Sequence, residues 1–473
     1  VIATSPLSLA IILVCALGVP AAGFWAARSR IGGAEAGLDY LSLGRRLSLP
    51  AFVATLVCTW YGGILAVGEY TWTWGLVNWL ALGFFYYVFA ALYAVFLAQR
   101  VRHSRALSIP EEIARRHGRP AGRVAALFTL VMVSPAPHIL TTALILGALS
   151  GLPLALTLPL TLVLVVAYVW QGGLRSVVVT DVVQFALMFT GFALALGWLM
   201  TEQGGLAWLA GRLPSGHLAI PGGLSWSTIV LWGFVAMWTL VDPGFHQRVA
   251  VARDVPTARR GIWISIACWF AFDALTTGCG LYARALLPDL EHPVKAFPLL
   301  AGMLPPVVQG LFVGGMLATV LSTLDSLCFL SGSTFARDLL GGKDDAGLPS
   351  RIRWGILLTS GLGALLAWRL QSVVQLWILF ASLGVPVLLP ALMSAYLSPG
   401  LSPGLTPRLS RGLVSMILAA VASTAWMAAG FLRSDGAWPE WPWGLEPLFP
   451  GLAAGLLPYV VDLRLWAGKG RET

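Results

Sequence analysis

Thirteen stretches of this chain are apolar for about the length a lipid bilayer demands. They run at 7–27, 49–74, 77–99, 122–149, 152–170, 175–201, 227–247, 262–285, 306–336, 353–369, 372–398, 410–432 and 445–464. A hydrocarbon core takes about 20 apolar residues per helix, and backbone crossing it must satisfy its own hydrogen bonds. The pattern therefore predicts an all-α integral membrane protein of about 13 transmembrane helices in one bundle. Only 11% of the residues are charged and the mean hydropathy is +0.80, whereas a soluble chain carries about 25% charge.

The net charge of +9 is explained by topology and not by nucleic-acid binding. Of the 30 Lys and Arg, 25 fall in alternate connections, and the other connections hold only Arg212, Arg284, Lys295, Arg369 and Arg433. Basic loops stay in the cytoplasm. The N-terminus is thus expected outside and the C-terminus inside, which an odd helix count requires. The first apolar run has no basic region before it and reads as a retained helix. The connections, among them "GRPAGR", "GGKDDAGLPSR" and "SPGLSPGLTPR", are short and rich in turn residues. The cysteines, Cys15, Cys58, Cys268, Cys279 and Cys328, lie in apolar segments without a CxxC pair, so neither a zinc site nor a disulfide framework is expected.

Five acidic residues fall inside the spans: Glu69, Asp181, Asp242, Asp273 and Asp325. A charge at the centre of a membrane helix costs roughly 2.5–3.5 kcal/mol on insertion scales, so such residues face the bundle interior and need a partner. No Lys or Arg is expected deep in any span, which leaves a bound cation as the compensating charge. His138 is the one deep histidine, read either as a hydrogen-bonded packing residue or as a group facing the solute.

The stretch "LSTLDSLCFLSGSTFARD", Leu321 to Asp338, carries hydroxyls at helical spacing. Thr319, Ser322, Thr323 and Ser326 share one face, and Asp325 flanks it. Such oxygens suit a hard cation such as sodium; hydroxyls alone could equally bond back to their own helix or hold helices together. In "CTWYGGILAVGEYTW", Tyr61-Gly62-Gly63 offers a place for the second span to unwind, because glycine weakens a helix. Irregular backbone at this depth is tolerated where it lines a cavity. The seventh span has Gly233 at mid-span and Asp242-Pro243-Gly244 near its end, the latter read as either a break or the cytoplasmic end of the helix. Paired interruptions of this kind point to an inverted repeat.

Three motifs resemble the sodium:solute symporter family: "GGLRSVVVTDVVQ" (Gly172–Gln184), "LDYLSLGRRLSLP" (Leu38–Pro50) and "LSTLDSLCFLSGSTFARDL". The resemblance implies a leucine-transporter-type fold with a 5+5 inverted repeat. A leading helix and cytoplasmic loop would occupy 1–48, the first repeat 49–201, an external loop 202–226, the second repeat 227–398, and two extra helices with a short tail 399–473. It implies a principal sodium site made by the carbonyls of Cys58 and Tyr61 with Thr319, Ser322 and Thr323. It also implies a second cation site at Asp181, Ser322, Asp325 and Ser326, for sodium or a proton.

The expected function is uptake of a small organic solute driven by sodium, by a multi-pass protein of the cell inner membrane that works as a monomer in the lipid bilayer. Trp60, Gly62, Gly63, Glu69, His138, Trp238 and Asp242 are the candidate solute contacts. Tryptophan faces with carboxylates suit an amine or cationic solute. A proton-coupled symporter of the same fold and a transporter-like sensor are the alternatives. No enzyme is expected, since HExxH, GxSxG and paired catalytic histidines are lacking.

Overall fold

The computed structural model describes residues 2–28, 40–341, 347–397, 404–406, 409–434 and 439–469. Leu38 and Asp39 of the second motif lie outside the described residues, as do residues 342–346 of the "GGKDDAGLPSR" loop, most of the "SPGLSPGLTPR" loop and the end of the tail. Among the described residues the fold is helical apart from a small antiparallel pair, Gly404–Thr406 with Leu409–Ser410, and an isolated bridge between Leu47 and Ala252.

Among the described residues, nine helices are long and apolar enough to cross a membrane, and a bent pair, Leu49–Trp60 with Ile64–Trp74, makes a tenth. Two shorter apolar helices, Leu154–Ala167 and Leu448–Val461, accompany them. So does Leu348–Leu370, which carries arginines near both ends.

The expected break in the second span is present. Its two halves meet at an angle of 57°, with Tyr61, Gly62 and Gly63 between them. Close approach explains the glycines. A methyl on Gly62 would run into His138 and Thr323, and one on Gly63 into the Trp377 ring. Gly173 serves a different need. It sits at φ +60° where Leu154–Glu202 kinks, with Tyr40 packed against it, a conformation that suits a residue without Cβ.

The seventh span corrects two readings. The helix Trp226–Val235 runs unbroken through Gly233. The interruption lies instead around Ala236–Met237 and at Asp242, whose carboxylate caps the next helix, Pro243–Val251, by accepting from the Phe245 N–H at 2.6 Å. That helix is buried along its whole length and carries the apolar span on to Val251, so Asp242 interrupts the span and does not end it. Burial also overturns the expectation that no basic residue lies deep: Arg248 is 1% exposed.

The axis of the bundle is Pro306–Ser333, most of whose residues are buried. It packs against Pro6–Ala27, Leu49–Trp60 and the 172–202 segment. At one end of the bundle, the backbone of Leu47 bonds to Val251 (3.2 Å) and Arg253 (3.0 Å). Arg102 reinforces this seam by donating to the carbonyls of Ala252 (2.7 Å) and Arg253 (3.1 Å). The segments bordering the two broken spans are thus stitched together.

Candidate functional site

Two neighbouring constellations form around the break at Tyr61–Gly63. In the first, helix Leu49–Trp60 ends at Trp60, which leaves carbonyls of its last turn without an intrahelical donor. The Cys58 carbonyl accepts the Ser322 hydroxyl at 2.9 Å and the Thr323 hydroxyl at 3.4 Å. Thr323 also donates to the Thr59 carbonyl at 2.9 Å. The Thr319 carbonyl accepts from Ser322 at 3.1 Å, while the Thr319 hydroxyl bonds back to Gly315. Cys58, Thr319, Ser322 and Thr323 therefore converge, all buried. Tyr61 joins through its N–H, 3.3 Å from the Cys58 carbonyl, and its hydroxyl reaches the Trp269 carbonyl at 3.0 Å. Carbonyl and hydroxyl oxygens on two helices are the donor set that sodium prefers. The fit resides in Cys58, Ser322, Thr323 and the Thr319 carbonyl.

The nominated second cation site looks different. Asp181 and Asp325 are fully buried on separate helices and Ser326 is 1% exposed. Asp181 accepts from the Thr55 hydroxyl, and Asp325 accepts from the Thr180 hydroxyl at 3.2 Å. Arg248 enters beside Asp181. Its Nη2 donates to Ser326 at 2.6 Å and to Thr59 at 3.0 Å, and its Nε to Thr55 at 3.3 Å. The same Nη2 lies 3.9 Å from the Asp181 carboxylate. The cation beside Asp181 in this structure is a side chain.

The second constellation is a cavity of about 150 Å³ beside the break. Trp60, Gly63, His138, Trp238 and Asp242 of the sequence candidates line it; Gly62 and Glu69 do not. Gly62 sits behind the wall, against His138 and Thr323. Glu69 is half-buried farther along Ile64–Trp74, about 9 Å from Gly63 at helical rise.

The cavity also has walls that the linear reading did not assign to it: Trp269, Trp377, Tyr86, Tyr87, Phe380 and Asp273. Asp273 had one visible signal, being an acid within an apolar span, and its carboxylate accepts from Tyr87. Asp242 accepts from the Trp238 indole N–H at 3.0 Å. Trp60 lies 5.5 Å from Trp269 and 5.6 Å from Tyr86, ring centre to ring centre. No Lys or Arg is among the described residues that line the cavity.

Comparison with known proteins gives a consistent picture. The model of the sodium:solute symporter family matches residues 40–404. The sodium/pantothenate symporter of Haemophilus influenzae is 27% identical over 193 residues, 38% of this chain and 39% of that protein. The sodium/glucose cotransporter of Vibrio parahaemolyticus is 24% identical over 380 residues, covering 67% and 65%. The high-affinity choline transporter 1 of Drosophila melanogaster is 25% identical over 396 residues, covering 76% and 62%. The chain thus spans from 39% to 65% of the length of these three relatives. A substrate-bound, outward-open Na+-coupled sialic acid symporter superposes with a TM-score of 0.76 at 16% identity, over 96% of this chain and 97% of that one. Mhp1, a nucleobase-cation-symport-1 family transporter in a closed conformation, gives 0.57 at 14% identity, over 90% and 94%. These likenesses show the fold, the leucine-transporter type.

Proposed function

The chain belongs to the sodium:solute symporter family, and from that premise we propose that it couples inward sodium movement to uptake of a small organic solute by alternating access. The carrying observation is the convergence of Ser322 and Thr323 on the Cys58 carbonyl at a helix break. Sodium there would bind both the broken helix and the central helix, Pro306–Ser333. The solute would sit against the other side of the same break, so each would stabilise the geometry the other needs. Binding energies coupled in this way are reciprocal.

The architecture is that of thirteen spans: the nine long helices, the bent pair, the two shorter apolar helices and Leu348–Leu370. In this reading they comprise a leading helix, a 5+5 inverted repeat at 49–201 and 227–398, and two extra helices, with the N-terminus outside and the C-terminus in the cytoplasm. The protein acts as a monomer in the cell inner membrane.

The solute carries an amino or other cationic group. Its cavity offers the carboxylates of Asp242 and Asp273, tryptophan faces and, among the described residues, no Lys or Arg. Aromatic faces attract cations, and a carboxylate supplies the charge-assisted contact. An anionic solute would meet two like charges instead.

The test is a binding screen of small metabolites by thermal shift, in sodium and in potassium. Potassium is the right replacement because an organic cation could itself enter the cavity. A stabilising amine that acts only in sodium supports the proposal. Equal stabilisation in both salts with dependence on pH would favour the proton-coupled reading, for which the buried carboxylates speak.

A further inference from the structure

Arg248 is among the largest fully buried side chains of the protein, and its environment is built for it. The guanidinium is held by Thr55 and Thr59 from the first broken helix and by Ser326 from the central helix, and it faces Asp181 from a third. Guanidinium is planar, always charged and less strongly hydrated than ammonium, so it suits a buried ion pair with several acceptors. Two oxygens nominated for a second coupling cation, those of Asp181 and Ser326, are the ones it engages.

We propose that Arg248 is a resident cation of this transporter, taking the place of a second coupling ion beside Asp181, so that one sodium accompanies each solute. The inference rests on the sodium site proposed above. Occupancy of the oxygens supports it. The guanidinium holds the Ser326 hydroxyl at 2.6 Å and stands 3.9 Å from the fully buried Asp181 carboxylate. A second sodium at those oxygens would lie beside the guanidinium, a like charge in a buried setting where repulsion is costly, and would compete with it for Ser326.

The test counts radioactive sodium bound per purified full-length protein, with no solute present, and measures melting in sodium-free buffer. One ion is expected on the unmutated protein and on Asp181→Asn, and two on Arg248→Gln. Two ions on the unmutated protein, falling to one in Asp181→Asn, overturn the proposal; so does a folded Arg248→Gln that binds only one. Melting separates this idea from the sodium site itself. Asp181→Asn should lower the melting temperature by several degrees by stranding the guanidinium, and adding Arg248→Gln should restore part of the loss. Additive losses in that cycle overturn the pairing. No sodium bound to any variant, together with intact coupling in the cycle, would instead remove the sodium site and with it the one-ion stoichiometry.

Discussion

The hydroxyl of Ser322 donates to the carbonyl oxygen of Cys58 across 2.9 Å, joining residues 264 apart in the chain. One partner is a helix end set free by a break, and the other belongs to an unbroken helix. Sodium replacing this hydrogen bond would gain both oxygens at once.

Ser322→Ala and Thr323→Ala each remove one oxygen from that set. Loss of one coordinating oxygen is comparable to loss of a hydrogen bond to a charged group, about 1.5–3 kcal/mol, so sodium half-saturation should rise by roughly ten- to a hundredfold. Folded yield should change far less. Sodium titrations of thermal stability or solute uptake check this, and curves that overlay the unmutated protein's would refute the assignment.

The cavity should discriminate by charge. Trp60→Leu removes a face worth about 0.5–2 kcal/mol to a cation, and Asp273→Asn removes a negative charge. Both should weaken binding of a quaternary ammonium probe such as tetramethylammonium and leave a neutral sugar unaffected. Isothermal titration of both probes decides the matter, and a preference for the sugar in the unmutated protein would dismiss the cationic solute.

Glu69 lies outside the cavity lining. Glu69→Gln should therefore leave affinity for the ammonium probe within about twofold, far from the loss expected when a charge-assisted hydrogen bond is removed. A tenfold weakening would return Glu69 to the solute path.

Gly62 and Gly63 leave no room for a methyl group. Overpacking of this kind costs about 1–3 kcal/mol. Gly63→Ala, pushed against Trp377, should lower the melting temperature, and Gly63→Ala with Trp377→Leu should recover it. Failure of the smaller partner to rescue would show that the glycine serves backbone conformation rather than packing.

Glu111, in Ile109–His117 between two spans, should set an acid limit on stability. Burial pushes its carboxyl up, but Arg337, the Leu107 N–H and Arg115 outweigh burial and hold it below the ordinary glutamate value. Arg337 is 3.0 Å away. The sign follows from a depressed folded value: the stabilisation is complete above the unfolded pKa of about 4.3 and fades as pH falls through the folded value. Glu111→Gln should flatten the melting-temperature profile between about pH 5 and 3. An identical profile in the variant would show that the pairing contributes nothing.

Much of the bundle could be read from the chain because a bilayer imposes its rule locally. Each span must be apolar along its own length, and loop charge records which side it faces. The break at Gly62-Gly63 and the hydroxyl face of Thr319, Ser322 and Thr323 were legible for the same reason, being properties of a single segment. Arg248 was not. With Arg253, Arg259 and Arg260 following it, it reads as the start of a basic loop. Its burial depends on Thr55, Asp181 and Ser326, three residues on three other segments. Asp273 and Glu69 look alike as acids in apolar runs, yet the first faces the cavity and the second does not. Hydropathy is a sum over neighbours in sequence and determined which segments enter the membrane. The compensation of a buried charge depends on neighbours in space, so only the tertiary structure decided which acids meet an arginine, which face the cavity and which do neither.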